Sequence, residues 1–580
     1  MLESVKRITK KHGFIIAIII FAILKQILIT SIPITPYPNQ GYDDDMMVEM
    51  AKNIRAGNWL GDYTSNILVK GPVFPIILAV INYFGLSYIG TMNIIYTIAC
   101  IFFVYVIKDI FKSKKSLFAI YLVLLFNPVS YAFWTLQRVY RNGITLAQVL
   151  FIIGSLFAMY QRKENSAKKI LPFGIIGGLS LATLWLTRED GIWILPFVLV
   201  VTAIIIVSTI VQYLKNSQKE KQKINWKEFI GKLVVSILPI IILFTSLHIT
   251  RAINYRKYGV YEYNEINDGY FGKVIKIIYS VNTDEDIQYV TATRKKINIL
   301  YEYSETLNSI KPELEASMDA WDYNDRHPGD TQVEDGWFWW ALKQAAENAN
   351  IYENAKTSDE FYKKVYNEIE QAINEGKIET QISMPSKLMS PWKKRYFIEL
   401  PKSMARTTWY VINFEDVKTV NFSKDIPDDK QGVSKFEAIT NNLAATNKED
   451  NSTDNATKYT KKYVERLNNI GKLYKYTGLL LAIIAFFAYI ILTIKMIKNR
   501  EKKNVLDIWL LLTGVACSLI VLIGGVSYNH ITSCFSRYYM YLSGSYPLVS
   551  IFCMGNICYL IENIKTNIDE NGENNGKDKK

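Results

Sequence analysis

The chain has 580 residues, of which 49% are hydrophobic and 13% aromatic, and a formal net charge of +13. Its apolar residues gather in uncharged runs of roughly 20, the length that crosses a ~30 Å hydrocarbon core as helix, which excludes a string of ordinary soluble domains. Many basic residues fall in short loops between these runs, where they orient a membrane chain, so no nucleic acid partner is expected.

In chain order, the first apolar segment, residues 14–32, lacks a small-residue cleavage site and runs into a proline-rich stretch, so it reads as a retained anchor. Lys25 inside it is either a snorkelling side chain or a charge kept in the membrane for a purpose. Next comes YDDDMMVEMAKNIRAG, in which Met46, Met50 and Ile54 recur every four residues. That spacing predicts an amphipathic helix over 45–56 on the membrane surface, closed by Gly57, with Asp43, Asp44 and Asp45 at its start. Capping and the helix dipole account for one or two of these carboxylates. Three exceed that need, and one is expected to act as a general base toward a hydroxyl. After Lys70-Gly71-Pro72, the short apolar stretch 73–83 reads as an interfacial helix with Pro72 at its first turn.

Further spans are expected near 90–107, 117–134, 142–160, 171–187, 191–213 and 230–250, and then near 474–494, 505–526 and 538–561. With the anchor this makes about ten. The ends and loops 1–13, 108–116, 161–170, 214–229 and 495–504 share one side and hold 22 Lys and Arg, so that side is expected to be cytoplasmic, with both termini. The opposite face receives Arg138 and Arg141, the cluster Arg188-Glu189-Asp190, and Arg537-Tyr538. A guanidinium there can hold a lipid phosphate with paired hydrogen bonds, or it can snorkel to the headgroups.

The same face receives the block 251–473, whose 31 Lys and Arg nearly balance 35 Asp and Glu. The period of Phe361, Val365, Ile369 and Ile373 makes it a mostly helical soluble domain. Within it, 425–462 is poor in large apolar residues and is expected to be a mobile loop. The expected fold is therefore an all-α polytopic membrane protein with a mostly helical extracytoplasmic domain. Its parts are a membrane module over 1–250, the block 251–473, C-terminal helices over 474–562 and a polar cytoplasmic tail over 563–580. The five cysteines lie in or beside apolar segments, so buried, unreactive thiols are expected and no disulfide framework.

Other chemistries find little support. Asp43-Asp44-Asp45 contains an Asp-x-Asp pattern, but on the wrong side for a cytosolic nucleotide sugar. The four histidines lack zinc-ligand spacing, and 322–333 fails as a calcium loop, with His327 where Gly is needed and Val333 where Glu is needed. No phosphate-binding or dinucleotide loop occurs, so no cofactor is expected.

At this point the residues resemble the GT-C superfamily of integral-membrane glycosyltransferases, which includes protein mannosyltransferases and aminoarabinose transferases. The resemblance covers 14–250 and 474–561. It rests on Asp43-Asp44 after the first span, the interfacial helix opened by Lys70-Gly71-Pro72, and Arg537-Tyr538 near a late span. It implies a polyprenyl-phosphate-linked sugar as donor, a hydroxyl of a glycan, protein or polymer outside the cytoplasm as acceptor, and inversion at the sugar carbon. Asp43, beside Asp44, would be the base; Arg138, Arg141, Arg537 or Lys70 would hold the lipid phosphate, and Arg188, Glu189, Asp190 and Tyr538 would contact substrate. The chain departs from many relatives in having Asp44 in place of Glu, and Asn142 where some carry an acid. A transporter or flippase of polyprenyl-linked sugars, and a non-catalytic membrane scaffold, are the alternative readings of the same segments.

Overall fold

The computed structural model describes residues 2–38, 43–220, 225–321, 332–423, 426, 428–445, 455–498, 503–533 and 538–577. Among them the regular elements are helices, joined by three isolated bridges and no strand. The chain is an all-α polytopic membrane protein: nine described helices are long and apolar enough to cross a bilayer, ten when the bent pair Lys114–Leu125 and Pro128–Gln137 is counted as one span.

The first crossing is the His12–Thr30 part of α1 (Leu2–Thr30). Helices α2 (Asp43–Arg55) and α3 (Val73–Tyr83) follow at its end, and α4 (Tyr88–Ile107) returns, its first turn capped where Ser87 accepts from the Gly90 amide. Lys25 does not snorkel. It is fully buried between crossings, donating to Ser130 Oγ at 3.0 Å with its ammonium over the Tyr96 ring.

The next crossing is broken. Helix α5 (Lys114–Leu125) ends at Asn127-Pro128, and the chain bends by 46° into a short turn and a π-type turn over Phe133–Gln137. Asn127 accepts from the Val129 amide and donates to Ser550. The freed backbone is satisfied by distant segments, the Phe133 amide by the Lys418 carbonyl at 2.8 Å and the Gln137 carbonyl by the Thr35 amide at 2.8 Å. Irregular backbone at membrane depth is tolerated only where protein covers it in this way.

Helices α6 (Asn142–Gln161), α7 (Ala167–Trp185), α8 (Leu195–Glu220) and α9 (Trp226–Tyr258) complete the first bundle. A Cβ at Gly178 of α7 would come within 2.6 Å of Ile242 and 3.1 Å of the Pro239 backbone, so the small residue is what lets α7 and α9 approach. Helix α9 extends past its expected end at 250 and stops at Gly259, which adopts the left-handed conformation.

The hydrophilic domain is built from α10 (Tyr270–Ser280), α11 (Arg294–Tyr303), α12 (Glu305–Asn308), α13 (Lys311–Ala320), α14 (Asp335–Asn348) and α15 (Ala355–Asn374). Phe361, Val365 and Ile369 enter its core beside Ile275, Leu300 and Leu342, while Ile373 packs at its edge. The connection after α2 docks on this domain: Val69 joins the core and Tyr63 hydrogen-bonds Ser358 at 2.7 Å.

Two elements differ from the sequence reading of 251–473. Helix α16 (Tyr396–Ile412) lies against the last membrane helices and turns Phe397, Ile398 and Trp409 outward, the pattern of a helix at the lipid interface. The stretch 425–462, expected as a mobile loop, contains α17 (Lys430–Thr440) and the start of α18 (Asn455–Lys498). Few apolar residues suffice there because Phe436 and Ile439 both enter the core between α2 and α3, Asp429 caps the first turn, and Lys435 pairs with Asp45 at 2.5 Å and Glu49 at 2.8 Å. The bundle closes with α19 (Lys503–Thr532) and α20 (Ser545–Lys577). Cys517 is exposed on the apolar surface of α19, unlike buried Cys100, Cys553 and Cys558; Cys534 lies outside the described residues.

Truncating Phe436 to Ala is expected to cost about 3 kcal/mol, as for other buried aromatics. Amide exchange in 430–445 and around α2 should accelerate together; unchanged exchange at α2 would refute the docking of α17 upon it.

Candidate functional site

Asp43, Asp44 and Asp45 occupy the first turn of α2, where the exposed amides of the helix favour negative charge. Successive helical positions point about 100° apart, so the three carboxylates meet different neighbours. Asp44 is fully buried and is held by Arg138 through two 2.6 Å bonds, Nε to Oδ2 and Nη2 to Oδ1. The guanidinium lies among the Tyr37, Trp134 and Tyr140 rings and near Met540. Asp45 turns away to Lys435.

Asp43 is different. It is partly exposed, and both its named contacts use Oδ2: the Tyr140 hydroxyl donates at 2.8 Å and Lys70 Nζ lies at 3.1 Å. Burial pushes its carboxyl up, but Lys70, Arg141 and Tyr140 together bring it below the ordinary value of 3.8. Burial leaves Asp44 raised, with Arg138 pulling the other way. Two adjacent, identical residues are thereby divided into an accessible ionised carboxylate and a buried anchor.

Lys70 is placed by the turn that opens α3. A Cβ on Gly71 would sit 1.9 Å from the Leu186 carbonyl oxygen, so only glycine permits this crossing. From the other side the Lys70 ammonium lies 5.4 Å from the centre of the Trp339 ring. Behind it is a buried pair from the hydrophilic domain, Glu265 with Lys343, and Lys343 also donates to Tyr352 at 2.9 Å. Burial lowers Lys343 and raises Glu265.

A second group of charges adjoins Asp43 through Tyr140. Arg141 donates from Nε to the Tyr140 hydroxyl at 3.1 Å and from Nη1 to the Thr187 carbonyl at 3.2 Å, and it pairs with Glu189. Arg188 is saturated by Asp190 through bonds of 2.7 and 2.5 Å and by Asn142 Oδ1 at 2.6 Å. Arg188 and Asp190 therefore brace one another, whereas Arg141 Nη2 and two of the Lys70 donors have no hydrogen bond among the described residues.

Sequence reasoning missed the polar face that α6 presents below these charges. Asn142 Nδ2, Thr145 Oγ1 and Gln148 Oε1 are buried without a partner, and so is Glu189 Oε1. Their spacing of three residues within an apolar span was a signal. Buried polar atoms are normally satisfied, so four orphans beside Arg141 point to a place for water or a polar ligand.

Asp43, Asp44, Lys70, Arg138, Arg141, Arg188, Glu189 and Asp190 thus converge at one rim of the bundle. Tyr538 does not join them: it is 42% exposed, and Tyr539 reaches inward instead, its hydroxyl accepting from the Trp134 amide at 2.8 Å. Arg537 lies outside the described residues. Among the described residues no three His, Cys, Asp or Glu side chains are grouped to hold a metal ion.

No protein-family model matches the chain, and no curated protein matches it. Among solved structures it is similar to ArnT from Cupriavidus metallidurans, in the apo state with 12% identity and a TM-score of 0.30, and bound to undecaprenyl phosphate with 11% identity and a TM-score of 0.29. Each comparison covers 94% of this chain and 78% of the other.

Replacing Arg138 by Met should cost about 3–5 kcal/mol, because it strands a buried carboxylate. Adding Asp44→Asn should recover part of that loss. Unfolding in detergent, compared across the two single variants and the double variant, measures the coupling; additive losses would refute the pairing.

Proposed function

We propose that the chain is a glycosyltransferase of the GT-C type, moving a sugar from a polyprenyl-phosphate carrier to a hydroxyl acceptor with inversion. The observation that carries this reading is Asp43, an ionised, accessible carboxylate with Lys70 and Arg141 at its side and unsatisfied polar atoms next to it. The acceptor hydroxyl gives its proton to Asp43 as its oxygen attacks the anomeric carbon. The bond from that carbon to the phosphate oxygen breaks, and the electron pair leaves with the lipid phosphate. Lys70 and Arg141 stabilise that departing charge with donors not used within the protein. Asn142, Thr145, Gln148 and Glu189 face the sugar hydroxyls, while Arg138, Asp44, Arg188 and Asp190 hold the frame.

The orientation follows from charge. Contacts at the end of the bundle opposite Asp43 join the Lys-rich loops, as in Lys503 with Glu164 at 3.3 Å and Arg162 with Asp109 at 3.6 Å. Positive loops stay inside, so the carboxylate site and the hydrophilic domain face outward from the cell membrane, with both termini cytoplasmic. The acceptor is then an extracytoplasmic glycan, protein or polymer.

Purified protein in lipid, given a panel of radiolabelled polyprenyl-phosphate sugars and acceptors, should release free polyprenyl phosphate only when acceptor is present. Asp43→Asn should lower that rate by about 10²–10⁴-fold with no loss of folding. Donor crossing the bilayer intact, without release, would overturn the reading in favour of transport.

The pH dependence has a definite sign. Asp43 is depressed in the folded chain, so its charge contributes stability above its unfolded value and loses it as pH falls through the folded value. The acid limb of activity should therefore lie below the usual carboxylate range. In Lys70→Met burial is opposed by less positive charge, and the limb should move to higher pH; a limb that stays in place would exclude Asp43 as the titrating base.

A further inference from the structure

A second polar concavity lies in the hydrophilic domain, away from the carboxylates of α2, with a volume of 260 Å³. Lys296 lines it, only 4% exposed, and its ammonium has no hydrogen bond or ion pair among the described residues. Thr283 Oγ1, Glu285 Oε2 and Trp392 Nε1 belong to the same wall and are also buried without partners. Two or three free donors and a free acceptor thus share one small space. Burial brings the Lys296 ammonium down to about 8.

The wall itself is firmly held. Asp335 accepts from the Thr291 amide at 2.6 Å, the Thr291 hydroxyl at 2.5 Å and the Ser390 hydroxyl at 2.5 Å. Lys393 is occupied by Asp286, and the Trp392 ring stacks on Tyr528 at 5.8 Å. Three acids and three lysines line the cavity, so their formal charges cancel and an anion gains no net field. A sugar hydroxyl both donates and accepts, which matches the mixture left free. The volume lies just under the ~300–1,000 Å³ typical of drug-sized ligands, enough for one ring.

We propose that this cavity binds a neutral polyhydroxylated ligand of single-sugar size through Lys296, Glu285, Thr283 and Trp392. Helix α14 connects it to the carboxylate site, because Asp335 braces the cavity and Trp339, about 6 Å further along the helix, covers Lys70. The inference concerns binding alone and stands whether or not the transfer reaction does.

The test uses the full chain in lipid nanodiscs with methyl β-glucoside, methyl N-acetyl-β-glucosaminide and ribitol as neutral probes, and inorganic phosphate and glycine as ionic ones. Saturation-transfer NMR reads binding, and acetylation of Lys296, followed by peptide mass spectrometry, reads occupancy. At least one neutral probe should bind and protect Lys296. Glu285→Gln and Thr283→Val should each weaken that probe about tenfold, the loss of roughly one hydrogen bond, with an unchanged unfolding temperature. The proposal is overturned if no neutral probe protects Lys296, if only phosphate or glycine does, or if neither substitution changes the affinity.

Discussion

Asp44 and Arg138 leave water together, and much of the surrounding structure follows from keeping that pair intact. Each ion alone would cost several kcal/mol to bury, so the bidentate contact must persist in the folded chain. Arg138 stands directly after the π-type turn and Asp44 in the first turn of α2, so the pair ties the broken crossing to the surface helix. Asp43 then has no freedom to turn inward. It is left at the rim, between Tyr140 and Lys70, as the partly exposed carboxylate of the pair.

The membrane crossings were legible because hydrocarbon thickness dictates the length and apolarity of each run, and no tertiary partner can relax that demand. The clustering of acids and cations was legible for a related reason: such residues are rarely spent at a membrane face. Their division of labour was not. Asp43 and Asp44 are the same residue in adjacent positions, and only Lys70 and Arg138, far apart in sequence, make one an open carboxylate and the other an anchor. Likewise Arg141 and Arg188 read alike as outer-face arginines, yet Arg188 is consumed by Asp190 and Asn142.

Helix α17 was illegible because its stability is not its own. Two apolar residues, Phe436 and Ile439, are too few to announce a helix, and the core they fill belongs to α2 and α3. The hydrophilic domain is similarly not an appendage. Val69 sits in its core, Ser65 donates to Glu347 at 2.9 Å, and Tyr63 pairs with Ser358 at 2.7 Å, so the segment that delivers Lys70 to the site is itself shaped by the domain.

The bent crossing has a consequence for how the chain is made. The Phe133 amide and Asn127 find partners at Lys418 and Ser550, and the Gln137 side chain, which also reaches Pro33, finds another at Val420. A ribosome delivers Lys418, Val420 and Ser550 long after the bend has been threaded into lipid. During that interval the bend carries bare peptide groups that hydrocarbon does not accept, so it must wait at the headgroups, in the insertion machinery or against water. The bend beside the Asp43 rim is thus completed late in biogenesis, and a nascent chain ending before residue 418 already holds the partners of Asp43 and Asp44 but not those that Phe133 and Asn127 find at Lys418 and Ser550.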